Sequence, residues 1–125
     1  MTAYLTCAGA SDAIVFYGAA FGAEEVGRWP EPDGRLGHSE IRIGETTLYI
    51  SDEFREYGAI APASLGGSTV GFVLSVPDVD TTFAQAVAAG ATVDRPLKDS
   101  PVGRGGWLRD PFGHRWNVMT PAADE

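Results

Sequence analysis

The chain contains one strand–helix–strand pattern twice, and this repeat limits its possible folds more than any other feature. The first copy is LTCAGASDAIVFYGAAFGAEEV, from Leu5 to Val26, and the second is LSVPDVDTTFAQAVAAGATVD, from Leu74 to Asp94. Leu5 and Leu74 lie 69 positions apart, and the Gly-Ala pairs after the two helices lie 68 apart. Matched spacing predicts a duplicated unit. The alternative is two unrelated strand–helix units of a common type.

Both copies carry the signals that begin and end a helix. A short side-chain oxygen accepts an unpaired N–H at the start, and glycine adopts the left-handed conformation at the end. The predicted caps are Ser11 or Asp12 in the first copy and Asp78 or Asp80 in the second, with Gly22 and Gly90 as the stops. The predicted apolar stripes are Ile14, Tyr17 and Phe21 in the first helix and Val79, Phe83 and Val87 in the second.

Three further strands follow each helix. We predict them at 24–29, 38–43 and 47–52, and again at 92–97, 105–110 and 114–120, with the first of each set at an edge. Glycine and Pro-Phe-Gly turns join the later pairs. The prediction is an α+β fold of two tandem βαβββ modules, about 2–54 and about 69–121, within one domain spanning residues 1–125. The connector 54–68 lacks a strong period.

Alternation along the strands separates two faces of each sheet. The apolar phase, which includes Leu5, Ile41, Leu74 and Val118, should lie under the helices. The opposite phase, which we call the open face, carries polar, aromatic and charged side chains that are typical of a ligand-lined concavity. A plain solvated face is the alternative. The predicted ligand-binding residues are Tyr4, Thr6, His38, Glu40, Arg42, Tyr49, Ser51, Trp107, Arg109, Asn117 and Met119.

Composition excludes several classes of partner. The net charge is −8 and the pI is about 4.6, which argues against binding nucleic acid or an anionic membrane and favours neutral or cationic partners. No apolar run is long enough for a membrane span, and the N-terminus lacks signal-peptide features, so we expect a cytoplasmic protein. Cys7, the single cysteine, lies in the apolar phase, and we expect a buried, inert thiol in a reducing compartment.

The motifs FYGAAFGAEEV, GHSEIRIGETTLYISDE, AVAAGATV and LRDPFGHRWNV resemble the vicinal oxygen chelate superfamily, in its glyoxalase/bleomycin-resistance/dioxygenase branch. The resemblance covers about residues 2–120. It implies sheets that curl into a cup holding the site, and a homodimer that often completes the cups at its interface. It also implies, in the enzymatic members, four metal ligands that are usually His or Glu.

The resemblance places those four positions on Thr2, Tyr49, Gly71 and Asn117. None of these side chains is a strong ligand for a divalent metal, because two offer weak neutral oxygens, one is a phenol and one has no side chain. We therefore expect neither a metal nor another cofactor. What remains is the family's other use, a metal-free cup that binds a small molecule.

His38 and Glu40 keep an alternative open. They lie two apart on one strand and could hold an ion if His114 or another carboxylate supplied a third ligand. Glu40 could instead act as a general base if burial raised its pKa. The preferred interpretation is a hydrogen-bonded row of His38, Glu40 and Arg42, in which Glu40 pairs with Arg42 or Arg109.

Two segments are predicted at the rim of the cup. Residues 99–106 are glycine-rich, and we expect a mobile flap whose Pro101 and Val102 contact ligand. Asp52, Glu53 and Glu56 form an acidic cluster, which is either a solvated face or an attractor for a cationic ligand.

These features favour a homodimeric binding protein over an enzyme. It would sequester a bulky aromatic or peptide-type molecule, such as an antibiotic, between the cup rings of two subunits. Tyr4, Tyr49 and Trp107 would stack on it, while Arg42, Arg109 and Asn117 would orient it. The alternative is a metal-dependent enzyme of the glyoxalase or dioxygenase type with atypical ligands. A third possibility is a structural homodimer with a vestigial cup.

Overall fold

The protein, described by a computed structural model over residues 1–123, consists of two modules with one topology. The first contains β1 (Tyr4–Thr6), α1 (Ala10–Phe21), β2 (Glu24–Pro30), β3 (Leu36–Ile43) and β4 (Thr46–Ser51). The second contains β5 (Gly71–Ser75), α3 (Val79–Ala89), β6 (Thr92–Ser100), β7 (Gly103–Arg109) and β8 (Arg115–Pro121). The short helix α2 (Pro62–Leu65) and a 3₁₀ turn (Arg55–Tyr57) lie between them. The predicted α+β class and βαβββ order are confirmed.

Both sheets have the same strand order. The orders are β1-β4-β3-β2 and β5-β8-β7-β6, so β2 and β6 are edges, as predicted. Within each sheet the first strand runs parallel to the last strand of its module, and the other pairs are antiparallel. Among residues 1–123, no helix is both long and apolar enough to cross a bilayer.

Helix α1 begins earlier than the sequence predicted, and its cap comes from another element. It starts at Ala10, and neither Ser11 nor Asp12 caps it. The N–H of Ala10 donates instead to Oδ1 of Asp52 at 2.7 Å, and the N–H of Leu36 donates to Oδ2 of Asp52 at 2.6 Å. A carboxylate just after β4 therefore fixes both the helix start and the beginning of β3.

Helix α3 follows its predicted start but not its predicted stripe. Asp78 caps it by accepting a hydrogen bond from the N–H of Thr81. Val87 is 40% exposed, so its place in the stripe was wrong. Ala86 takes the buried position instead. It lies seven residues after Val79, which is almost two full helical turns, so the two side chains share one face.

One apolar core joins the two modules. The covered faces of both sheets contribute to it, with α1 and α3 packed against each other between them. Gln85 on α3 also donates a hydrogen bond to the carbonyl of Ala20 on α1 at 3.1 Å. Because both covered faces share this core, the two open faces do not face each other within the chain.

Buried Asp110 connects the modules. It is 4% exposed, and its carboxylate accepts hydrogen bonds from the Tyr17 hydroxyl at 2.5 Å and Trp116 Nε1 at 2.9 Å. It also accepts the N–H groups of Phe112 and His114, so it orders the turn before β8. Burial, followed by the nearby carboxylate, raises the pKa of Tyr17 well above its ordinary value. The hydroxyl therefore stays a donor.

Candidate functional site

Six of the eleven predicted site residues line two cavities on different open faces, and the other five line neither: His38, Glu40, Arg42, Tyr49 and Arg109. The cavity of the first sheet, about 320 Å³, is bordered by Tyr4, Thr6 and Ser51. The cavity of the second sheet, about 360 Å³, is bordered by Trp107, Asn117 and Met119. The two cavities share no lining residue. A single chain thus has two separate cavities, the half-sites, one on each open face.

On the first open face, hydrogen bonds hold both nitrogens of His38. Nδ1 lies 2.7 Å from the hydroxyl of Tyr4, and Nε2 lies 3.2 Å from Oε1 of Glu40. The Tyr4 hydroxyl also lies 3.0 Å from the carbonyl oxygen of Gly37, to which it can donate. Burial and neighbouring Tyr49 raise the pKa of Tyr4, which keeps the phenol protonated. The result is a phenol–imidazole–carboxylate chain whose polar groups already have partners.

Rings surround this chain of hydrogen bonds. Tyr49 packs edge-on against His38 and Tyr4, with centroid distances of 4.7 and 5.5 Å. Trp29, which the sequence analysis did not select, lies 5.3 Å from His38. The register shift between Glu25 and Gly27 in β2 carries Trp29 opposite His38 on the open face, so plain alternation could not assign it.

The first cavity is also lined by loop residues that the strand pattern did not indicate. Glu31, Phe54 and Tyr57 line it beside Tyr4. Phe54 and Tyr57 come from the connector, where side-chain spacing gives no periodic signal. The available clue in the sequence was an aromatic residue, Tyr57, beside a glycine in the connector, and the structure leaves it 82% exposed.

On the second open face, the Trp107 ring fills the space that a side chain at Gly71 would occupy. A Cβ on Gly71 would lie only 2.8 Å from the Trp107 ring, so the ring occupies the space above Gly71. On Trp107 itself lies the guanidinium of Arg115, 4.6 Å from the ring centroid. Asn117 donates a long hydrogen bond, 3.4 Å, to the carbonyl of Gly106. The half-buried indole is therefore held between a cation and a glycine.

The predicted pairing of Glu40 with Arg42 or Arg109 was wrong. Glu40 bonds to His38, Arg42 pairs with Glu24 at 3.4 Å, and Arg109 pairs with Asp94 at 3.7 Å. Register explains the difference, because Arg42 lies opposite Glu24 across the β2–β3 pair.

The residues at the four metal positions do not fit a metal. Thr2 precedes β1 and is exposed, Tyr49 packs against rings, Gly71 lies under an indole, and Asn117 bonds to backbone. His114, the third ligand of the alternative, is buried, and its Nε2 lies 3.0 Å from the carbonyl oxygen of Thr6. Within residues 1–123, no three His, Cys, Asp or Glu side chains converge as a metal site would require.

The acidic cluster at the rim makes structural contacts, although Glu56 remains exposed to solvent. Asp52 holds α1 and β3, as described above. Glu53 accepts hydrogen bonds from Ser64 and from the N–H of Ala61, which lower its pKa. Arg35 binds Glu56 in a bidentate pair and likewise lowers the pKa of Glu56.

The predicted flap is a paired ribbon. Lys98, Asp99 and Ser100 pair with Gly105, Arg104 and Gly103, which leaves Pro101 and Val102 as the turn. Gly103 closes this turn with a φ of 142°. Val102 is 73% exposed and borders the second cavity. Cys7 is fully buried, as expected, and burial raises the pKa of its thiol.

Comparison with known proteins agrees with this architecture. Residues 3–118 match the sequence model of the Glyoxalase/Bleomycin resistance protein/Dioxygenase superfamily. An uncharacterized protein of Mycobacterium bovis is 41% identical over 128 residues, covering 99% of this chain and 84% of that protein. The crystal structure of TioX from Micromonospora sp. ML1 superposes with a TM-score of 0.74 at 25% identity, over 100% of this chain and 98% of that one.

A fosfomycin resistance protein, FosX from Mesorhizobium loti, shares the fold. Its TM-score is 0.74 at 15% identity, over 98% of this chain and 90% of that one.

Proposed function

Because this chain belongs to the Glyoxalase/Bleomycin resistance protein/Dioxygenase superfamily, we propose that it binds and sequesters a small ring-bearing molecule, such as an antibiotic, without a metal. The observation that carries the proposal is the pair of ring-lined cavities on the open faces. Each offers apolar ring surface beside a few polar groups, which is the usual make-up of a small-molecule site. The similarity to proteins named for antibiotic resistance supports this class of ligand.

We further propose that a second copy of the chain completes each cup. The half-sites lie on different faces, so a ligand enclosed by both types of half-site needs one from each of two chains. Exposed apolar side chains border both open faces: Trp29 and Tyr57 on the first, and Val73 and Val102 on the second. Burying them against a partner would be favourable. Light scattering should then give twice the 13.2 kDa mass of the chain.

Tryptophan fluorescence tests the binding proposal, because one of the three tryptophans lies on each open face and Trp116 is buried in the core. The protein is titrated with a panel of aromatic and peptide-type antibiotics. Ligand binding should quench the tryptophan fluorescence. In Trp107→Ala, which lacks the stacking ring, this quenching should be lost and the affinity for the ligand should fall about tenfold. Trp29→Ala reports on the other face, and thermal melts verify that both variants fold.

Two results would overturn the proposal. One is binding that survives in a Tyr4→Ala/Trp107→Ala double variant, which would place the ligand away from the open faces. The other is a stoichiometric divalent ion, in protein purified without chelator, that disappears in His38→Ala. That result would support the metal-dependent enzyme instead.

A further inference from the structure

Among residues 1–123, three cations on the second sheet have no acidic partner. The protein has nine Lys and Arg residues, and six of them lie within 4.0 Å of a carboxylate oxygen. Those six are Arg28, Arg35, Arg42, Arg55, Arg104 and Arg109. In the part of the chain that the structure describes, no such carboxylate lies near Arg95, Lys98 or Arg115. Because the chain has a net charge of −8, three neighbouring cations without an acidic partner among the described residues are unexpected.

Register places all three on the open face. Arg95 lies opposite Trp107, and Lys98 lies opposite Gly105, across the β6–β7 pair. The pairing shifts between Val93 and Arg95 and again between Arg95 and Lys98. The first shift brings the Arg95 side chain to the face of Trp107, and the second restores the alternation that starts at Thr92, so Lys98 lies on that face as well. Arg115 lies there too.

Two of the cations border a cavity that could take an anion with an apolar body. Arg95 and Lys98 line the second cavity together with Trp107 and Met119. Arg115 lies outside that lining, over the indole. On the floor, Gly105 and Gly106 lack side chains, and a Cβ on Gly105 would lie 2.9 Å from Met119. The cavity thus combines two positive charges with ring and thioether surface.

We infer that the second open face recognises the negatively charged group of a small organic molecule, with Arg95 and Lys98 binding the anion and Trp107 and Met119 contacting its apolar body. Carboxylates and sulfonates share the required chemistry. This inference rests on the proposed function, and it opposes the preference for cationic partners that the net charge alone indicates. The first open face differs, because its Arg42 already pairs with Glu24.

Matched naphthalene compounds test the inference by isothermal titration calorimetry. Naphthalene-2-sulfonate and 2-naphthoate carry the anion, 2-naphthamide is neutral, and 2-naphthylmethylamine is cationic. We expect the two anions to bind about tenfold more tightly than the amide, with an advantage that falls as salt is added. In Arg95→Gln/Lys98→Gln the advantage should vanish, while the affinity for the amide stays the same.

The control variant is Arg28→Gln/Arg104→Gln, which removes the same net charge from two paired cations that border neither cavity. It should keep the preference for anions. Equal binding of anion and amide, tighter binding of the amine, or a preference that survives in Arg95→Gln/Lys98→Gln would overturn the inference and leave the proposed function standing. If none of the four compounds bound to the wild-type protein, both would fail.

Discussion

The two modules share a topology but treat charge on their open faces in opposite ways. The first face pairs its charges internally, with His38 held by Tyr4 and Glu40 and Arg42 held by Glu24. In the described part of the chain, the second face leaves three cations near a half-buried indole without an acidic partner, although its Arg109 pairs with Asp94. A duplicated backbone can therefore present two chemically distinct half-sites, since the strand register fixes where a side chain points but not what it carries.

The modules also differ in the carboxylate that organises each of them. Asp52 in the first is partly exposed and accepts two backbone N–H groups. Asp110 in the second is buried and accepts four donors, one of which comes from α1 of the other module. This asymmetry makes the turn before β8 the joint between the modules.

The largest expected effect comes from removing the Asp110 carboxylate that connects the modules. Asp110→Ala should cost about 3–5 kcal/mol of unfolding free energy, because it leaves buried donors without an acceptor. Asp52→Ala should cost about 1–2 kcal/mol, as loss of a helix cap does. Urea denaturation measures both. If Asp110→Ala fails to fold, Tyr17→Phe removes a single donor and should cost about 1–2 kcal/mol. Equal costs for the two Asp variants would contradict the asymmetry.

Alkaline pH should weaken the same junction more gradually. Burial raises the folded-state pKa of Cys7 and Tyr17 above their ordinary values of 9.0 and 10.0. The protonated forms favour the fold, so this stability is complete below about pH 9 and is lost as the pH rises, when the unfolded chain releases its protons. Each group should contribute a loss of about 1.4 kcal/mol per pH unit above its unfolded pKa.

Denaturation series from pH 8 to about pH 11 measure this loss. Cys7→Ala should remove the part that starts near pH 9, and Tyr17→Phe should remove the part that starts near pH 10. A wild-type protein whose stability rose with pH in this range would contradict the sign.

The smallest effect compares the two faces through a pair of glycines. A Cβ on Gly71 would lie 2.8 Å from the Trp107 ring, and a Cβ on Gly27 would lie 2.9 Å from the Trp29 ring. Trp29 lies on an edge strand and is 54% exposed, so it can move away. We expect Gly71→Ala to displace Trp107 and weaken ligand binding several-fold, with Gly27→Ala close to wild type. The fluorescence titration measures both, and equal losses would show that Trp107 is no more constrained than Trp29.

The sequence alone determined the repeated module and the alternation of apolar and polar side chains along the strands. The duplication predicted two βαβββ modules, the apolar phase predicted a core that includes Leu5, Cys7, Ile41 and Val118, and Asp78 was recognisable as a cap. These features are local, because helical and strand periods act over a few neighbouring residues. The sequence also showed, from chemistry alone, that weak ligands for a divalent metal stand at the four positions Thr2, Tyr49, Gly71 and Asn117.

The tertiary structure decided what depends on non-local pairing. One bulge in β2 and one in β6 carried Trp29 and Arg95 onto the open faces, which parity counted along the sequence could not foresee. Partners far apart in sequence chose the ion pairs of Arg42 and Arg109 and the capping role of Asp52. The shared core also separated the two open faces, because the covered sides of both sheets bury their apolar side chains against the same two helices.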